Sequence, residues 1–177
     1  MTDAPRFAYA YRELALVAAD LRQQRADGDP AKVADGTFTE QEAADRLRIA
    51  TAVATDWDHY ARVALPPTNL ATQDEKLAML HTSLRGARAR RERARQAIVT
   101  EYGEKFFVRS YFELWALVDM HDTTTHRVLS YLNWESYAAA IEAMLWWQTR
   151  GGTDGIRFLT RINIEWRAER PNHSEVA

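Results

Sequence analysis

The sequence predicts a predominantly helical α+β protein: an N-terminal helical bundle, a long Arg-rich third helix, and a small C-terminal antiparallel sheet packed with helices. Three observations carry this. Apolar residues recur at spacings of three and four through the first hundred residues, the signature of amphipathic helices. Two Thr-x-x-Glu capping boxes, Thr39/Glu42 and Thr72/Glu75, mark helix starts there. Residues 156–166 alternate strictly between two sets of side chains, as a half-buried strand does.

The first helix, about residues 5–26, places Phe7, Ala10, Leu14, Val17 and Leu21 on one stripe, with Pro5 near its first turn. From Asp27 to Thr37 the apolar period stops among Gly28, Pro30 and Gly36, which predicts a mobile loop. The second helix starts at the Thr39 box, runs through Leu47, Ala54 and Trp57 to Ala64, and stops at Pro66-Pro67. Neither proline offers a backbone donor, and each clashes with a preceding helical turn. The third helix runs from the Thr72 box to Gly103, about 30 residues or roughly 45 Å at 1.5 Å per residue. Large apolar residues sit at its two ends. Its middle has only Ala87 and Ala94 around Arg91, with arginines over much of the circumference.

Beyond Gly103 aromatic and β-branched residues become dense. In the alternating segment Ile156, Phe158, Thr160, Ile162, Ile164 and Trp166 share one face, and Arg157, Leu159, Arg161, Asn163 and Glu165 the other. Mates for this strand are sought at Lys105–Arg109 and Arg127–Leu132. Between those two, Ser110 and Glu113 form a third capping box, opening a helix with Tyr111, Leu114, Leu117 and Val118. A last helix, capped by Asn133, runs from Trp134 through Ile141 and Leu145 to the glycines at 151–152. The chain thus divides into a helical region 1–102, a smaller α+β region 103–170, and a polar, frayed tail 171–177.

Composition narrows the function. With no cysteine, thiolate catalysis and cysteine-ligated metal or iron–sulfur sites are excluded. A net charge of −2 supplies no whole-molecule field toward nucleic acid or an anionic membrane, so an electrostatic partner must be met locally. No apolar run approaches the roughly 18 residues of a membrane span, and the N-terminus lacks an export signal. A cytoplasmic location and no membrane partner are therefore expected. Phosphate-binding glycine loops, a nucleophile elbow and His-Glu-x-x-His are all missing, and no cofactor is expected.

The feature richest in chemistry is residues 85–95, where Arg85, Arg88, Arg90, Arg91, Arg93 and Arg95 stand against the single acid Glu92. Guanidinium groups carry planar forks of donors that match phosphate and carboxylate oxygens. Arg88, Arg91 and Arg95 share a helix face and are the leading contacts; Arg85, Arg90 and Arg93 should matter less. Arg157 and Arg161, two apart on the outer strand face, give a second basic strip. The last helix is aromatic, and Trp134, Trp146 and Trp147 are candidates for an interface, because such side chains combine apolar area with a hydrogen-bond donor.

Two further readings compete. His121-Asp122 could bind a divalent cation if Asp56, Asp58 and His59 packed nearby, making a metal-dependent hydrolase. Residues 111–132 could form a helix-turn-helix, with His126, Arg127 and Ser130 toward the groove and 156–166 as part of a wing. The expectation from sequence is a binding or regulatory protein more than an enzyme. Its partner is a nucleic-acid backbone met through the Arg-rich helix, or alternatively an acidic protein surface or a protein met through its own acidic or aromatic surfaces. Homo-oligomerisation fits the aromatic helix.

Overall fold

The computed structural model describes residues 4–67, 70–119, 125–149 and 155–168, and among these there is no strand. The described residues are all-helical, with 84% of them in helix. In order, the elements are α1 (Tyr11–Ala34), α2 (Glu40–Ala61), α3 (Gln73–Tyr102), a 3-10 turn (Glu104–Val108), α4 (Tyr111–Asp119), α5 (Thr125–Thr149) and α6 (Gly155–Ala168). The expected C-terminal sheet does not form. Its principal strand is α6, and its proposed mates fall in the 3-10 turn and in the first turns of α5.

The reason lies in the pattern itself. A period-two set of six residues also contains two period-four rows, and period four is a helix face. Ile156 and Thr160 of the first row are buried and Ile164 is half-buried, so this row docks α6. Phe158, Ile162 and Trp166 form the second row, about 160° away around a helix of 3.6 residues per turn, and they are exposed.

α1 also departs from expectation. Residues 6–9 form a turn ahead of the helix, tied down where Trp147 Nε1 donates to the Ala8 carbonyl at 2.6 Å. At its far end the helix continues through Gly28 and Pro30 to Ala34, where a loop is expected. Tertiary contacts override the local breakers. Asp29 is buried and accepts from Arg46 Nε of α2 at 2.8 Å, with Lys32 Nζ 3.6 Å away. Phe38 then stacks under both cations, 4.4 Å from Arg46 and 5.0 Å from Lys32. Gly36, at φ +76°, makes the turn toward α2, a backbone state with little cost only for glycine.

All three capping boxes form, with the Thr39, Thr72 and Ser110 hydroxyls accepting from the amides of Glu42, Glu75 and Glu113. The glutamates accept in return from the amides of Thr39, Thr72 and Ser110. Arg48 donates to Glu75 at 2.6 Å and, with the Thr72 amide, holds that carboxyl down to about 2. α3 ends at Tyr102, before Gly103 at φ +76°. α5 starts before Trp134, so Asn133 is a residue within the helix and not its cap.

α3 and α5 run antiparallel and form the spine. Gln73 meets Gln148 at 2.8 Å at one end, and Arg127 pairs with Glu101 at the other. Two apolar clusters flank the spine. The larger joins Leu14, Ala18 and Leu21 of α1, Val53, Trp57 and Tyr60 of α2, Leu80, Leu84 and Ala87 of α3, Ala138 to Trp147 of α5, and Ile156 of α6. The smaller joins Ile98, Phe106, Leu114, Val128 and Leu132. The tail 171–177 lies outside the described residues.

Candidate binding surfaces

The sparsely apolar middle of α3 is held by its own chain. Ala87 belongs to the same buried cluster as Ala138, Ala140 and Ala143 of α5, so small side chains of both helices are buried together in the core. On either side of this contact the arginines reach acids. Arg88 pairs with Glu142, its Nε 3.1 Å from Oε1. Arg91 Nη1 donates to Glu135 at 3.1 Å, and Glu135 also accepts from Arg6 at 2.6 Å. Arg95 donates to Glu104 at 2.6 Å and lies 3.6 Å from Glu92.

The three arginines singled out as leading contacts are therefore all committed within the molecule, although each keeps part of its surface in water. Arg85 donates to the Thr82 hydroxyl at 3.0 Å and is exposed. Arg90 lies over the Trp134 ring, 4.8 Å from its centre, and Arg93 is exposed. Glu135 and Glu142 are the partners missed from sequence. Their signal is the seven-residue interval that puts both on one face of α5, opposite Arg91 and Arg88 in an antiparallel pair.

Arg157 is half-buried and close enough to Asp56 to favour its charged form; Arg161, one turn on, is exposed. The tryptophans serve the interior. Trp147 is buried, and Trp146 packs against it edge-to-face at 4.8 Å, with Tyr9 edge-on to both. Trp134 is half-buried beneath Arg90.

For the metal reading, His121 and Asp122 lie outside the described residues. Its distant donors are already engaged: Asp56 accepts from Lys76 at 2.6 Å, Asp58 pairs with Arg62, and His59 Nδ1 lies 2.8 Å from the Thr55 carbonyl. Among the described residues no three His, Asp or Glu side chains come together as a metal site. For the helix-turn-helix reading, α4 and α5 do flank residues 120–124, and His126, Arg127 and Ser130 are exposed. The wing is overturned, because 156–166 is helical.

Among the described residues α6 carries more exposed large apolar side chains than any other element: Phe158 at 60%, Leu159 at 41%, Ile162 at 42% and Trp166 at 51% exposure. Isolated exposed apolar residues are ordinary; here they recur every four residues along one helix. Among the described residues no helix is long and apolar enough to cross a membrane. The fold and this surface define a class, an all-helical bundle presenting an amphipathic helix. No family model matches the chain, and no curated protein or solved structure matches it.

Proposed function

We propose that this chain is a protein-binding helical module that acts by association and not by catalysis, with α6 as its docking helix and a second copy of the chain as the first occupant. The observation that carries the reading is the outward row Phe158, Ile162 and Trp166, on the side of α6 away from its docked face. That row is symmetric about Ile162. In an antiparallel pair of α6 helices Ile162 meets its own copy, while Phe158 of one protomer lies level with Trp166 of its partner. Arg161 and Glu165, four apart along one flank, give each copy an opposite charge to offer the other. A self-complementary patch of this kind closes as a two-fold dimer.

The alternative in which Arg88, Arg91 and Arg95 grip a nucleic-acid backbone is less favoured, because each would first have to leave an intramolecular carboxylate.

Light scattering across a dilution series tests the reading. The expected result is a dimer that dissociates on dilution, and a monomer for Ile162→Asp with an unchanged far-UV spectrum. A chain that stays monomeric at the highest attainable concentration overturns it, as does a dimer that survives Ile162→Asp. A monomer that binds anionic lipid vesicles, and loses them in Ile162→Asp, also overturns it and assigns α6 to a membrane surface.

A further inference from the structure

A cleft of about 760 Å³ opens between α1 and α3, with Leu21, Ala87 and Tyr137 among its lining residues. It falls in the size range of sites for small molecules. Its walls carry four cations, Arg25, Lys32, Arg46 and Arg90, against two carboxylates, Asp27 and Asp29.

The bonding inside the cleft leaves positive charge over. Asp29 is shared by Arg46 and Lys32, and Asp27 accepts from the Gln23 amide. Arg25 is half-buried and, among the described residues, pairs with no acid; it donates to the Leu21 carbonyl at 2.6 Å and to Ser83 Oγ at 2.8 Å. A guanidinium has five N–H donors, so Arg25 keeps donors in reserve. Arg90 rests its flat face on Trp134 and has no carboxylate partner among the described residues, which leaves the edge of its fork for a ligand. Tyr137, hydrogen-bonded to Asp20 at 2.8 Å, holds its proton well above the ordinary phenol range, through burial first and then that carboxylate. It therefore adds no negative charge. Burial and the neighbouring Arg46 both press the Arg25 guanidinium below its usual value; an anion beside it would relieve that pressure.

Two glycines complete the cleft. Gly28 and Gly86 lie inside helices, where glycine is disfavoured relative to alanine. Both line the cleft, and a Cβ built on either meets nothing within 4 Å. Packing does not require them; what their missing side chains provide is open space beside the cations.

We infer that the cleft is a binding site for a small phosphorylated molecule, its phosphoryl group held by Arg25 and Arg90 and its body against Leu21, Ala87 and Tyr137. Bidentate guanidinium contacts suit phosphoryl oxygens, and the cleft's volume is that of a small-molecule site. This is independent of α6 and of the proposed dimer.

The test is calorimetric titration of the full chain with inorganic pyrophosphate. Saturable binding at one site per chain is expected, weakened at least tenfold in Arg25→Gln and in Arg90→Gln. Gly86→Leu is the control for folding: filling open space on a helix, it should raise the unfolding midpoint while abolishing binding. No saturable binding, or binding unchanged in Arg25→Gln and Gly86→Leu, overturns the inference. So does a single-stranded oligonucleotide that outcompetes pyrophosphate and depends on the same residues, since the ligand would then be a polymer.

Discussion

Asp56 of α2 and Lys76 of α3 form a charged pair at 2.6 Å whose side chains are only 10% and 14% exposed. It lies where the first turn of α3 meets α2, with Arg157 of α6 also near enough to act on the carboxylate. Burial raises the Asp56 carboxyl above the usual aspartate range, and the Lys76 hydrogen bond and charge pull part of that back.

Removing one partner should therefore hurt more than removing both. Lys76→Met strands a buried carboxylate and is expected to cost about 3–5 kcal/mol at neutral pH, whereas Asp56→Asn with Lys76→Met should recover most of it. The pH dependence follows from the raised carboxyl. Its contribution to stability is complete below the unfolded aspartate value of about 3.9 and is lost as pH rises through the higher folded value. The cost of Lys76→Met should accordingly shrink toward pH 4, as Asp56 takes up its proton. Urea unfolding at acid and neutral pH checks this; a cost that does not change with pH would contradict the assignment.

Val63, just past the end of α2, has φ +56°. A β-branched side chain in the left-handed region is strained, by roughly 1–2 kcal/mol relative to glycine. The turn needs that conformation, because the Ala64 amide reaches back to the His59 carbonyl at 2.8 Å and the Val63 amide to Tyr60 at 3.0 Å. Val63 is half-buried, so part of the relief on replacing it is offset by lost apolar contact. Val63→Gly is expected to raise stability by about 0.5–1 kcal/mol. Denaturant midpoints of the two proteins decide it, and a loss of stability would mean that the side chain's packing outweighs its backbone strain.

The helix starts that carry a capping box, those of α2, α3 and α4, are legible because the box is local: Thr39, Thr72 and Ser110 each find their glutamate three residues on, whereas α1 and α5, without one, start elsewhere than their apolar stripes suggest. The extent of α3 was legible for the same reason, bounded by one box and by Gly103. α1 beyond Asp27 was not, since the ion pair that sustains it comes from Arg46 on another helix. α6 is not legible as a helix because alternate letters satisfy both a strand and two helix rows, and only docking decides between them. The arginines of α3 show the same limit. Their sequence identifies charge but not the acids of α5 and of the 3-10 turn that meet it, and the cleft around Arg25 is assembled from α1, α2, α3 and α5, with no local motif.

If the arginines of α3 hold the spine together, replacing them should register as stability and not as affinity. Arg88, Arg91 and Arg95 reach Glu142, Glu135 and Glu104 respectively. Partly exposed ion pairs contribute about 0.2–1 kcal/mol each. The Arg91 pair should lie at the top of that range, because Glu135 is only 18% exposed and is shared with Arg6. The triple variant with glutamine at all three positions is expected to lose roughly 1–2 kcal/mol, less at high salt because screening already weakens the wild-type pairs. A nucleic-acid grip predicts the opposite division: near-normal stability, and a flattened dependence of log affinity on log salt. Urea unfolding at two salt concentrations, alongside titration with a labelled oligonucleotide, separates the two. Lost stability with no change in oligonucleotide binding places these side chains in the spine; unchanged stability with a flattened slope returns them to a nucleic-acid surface.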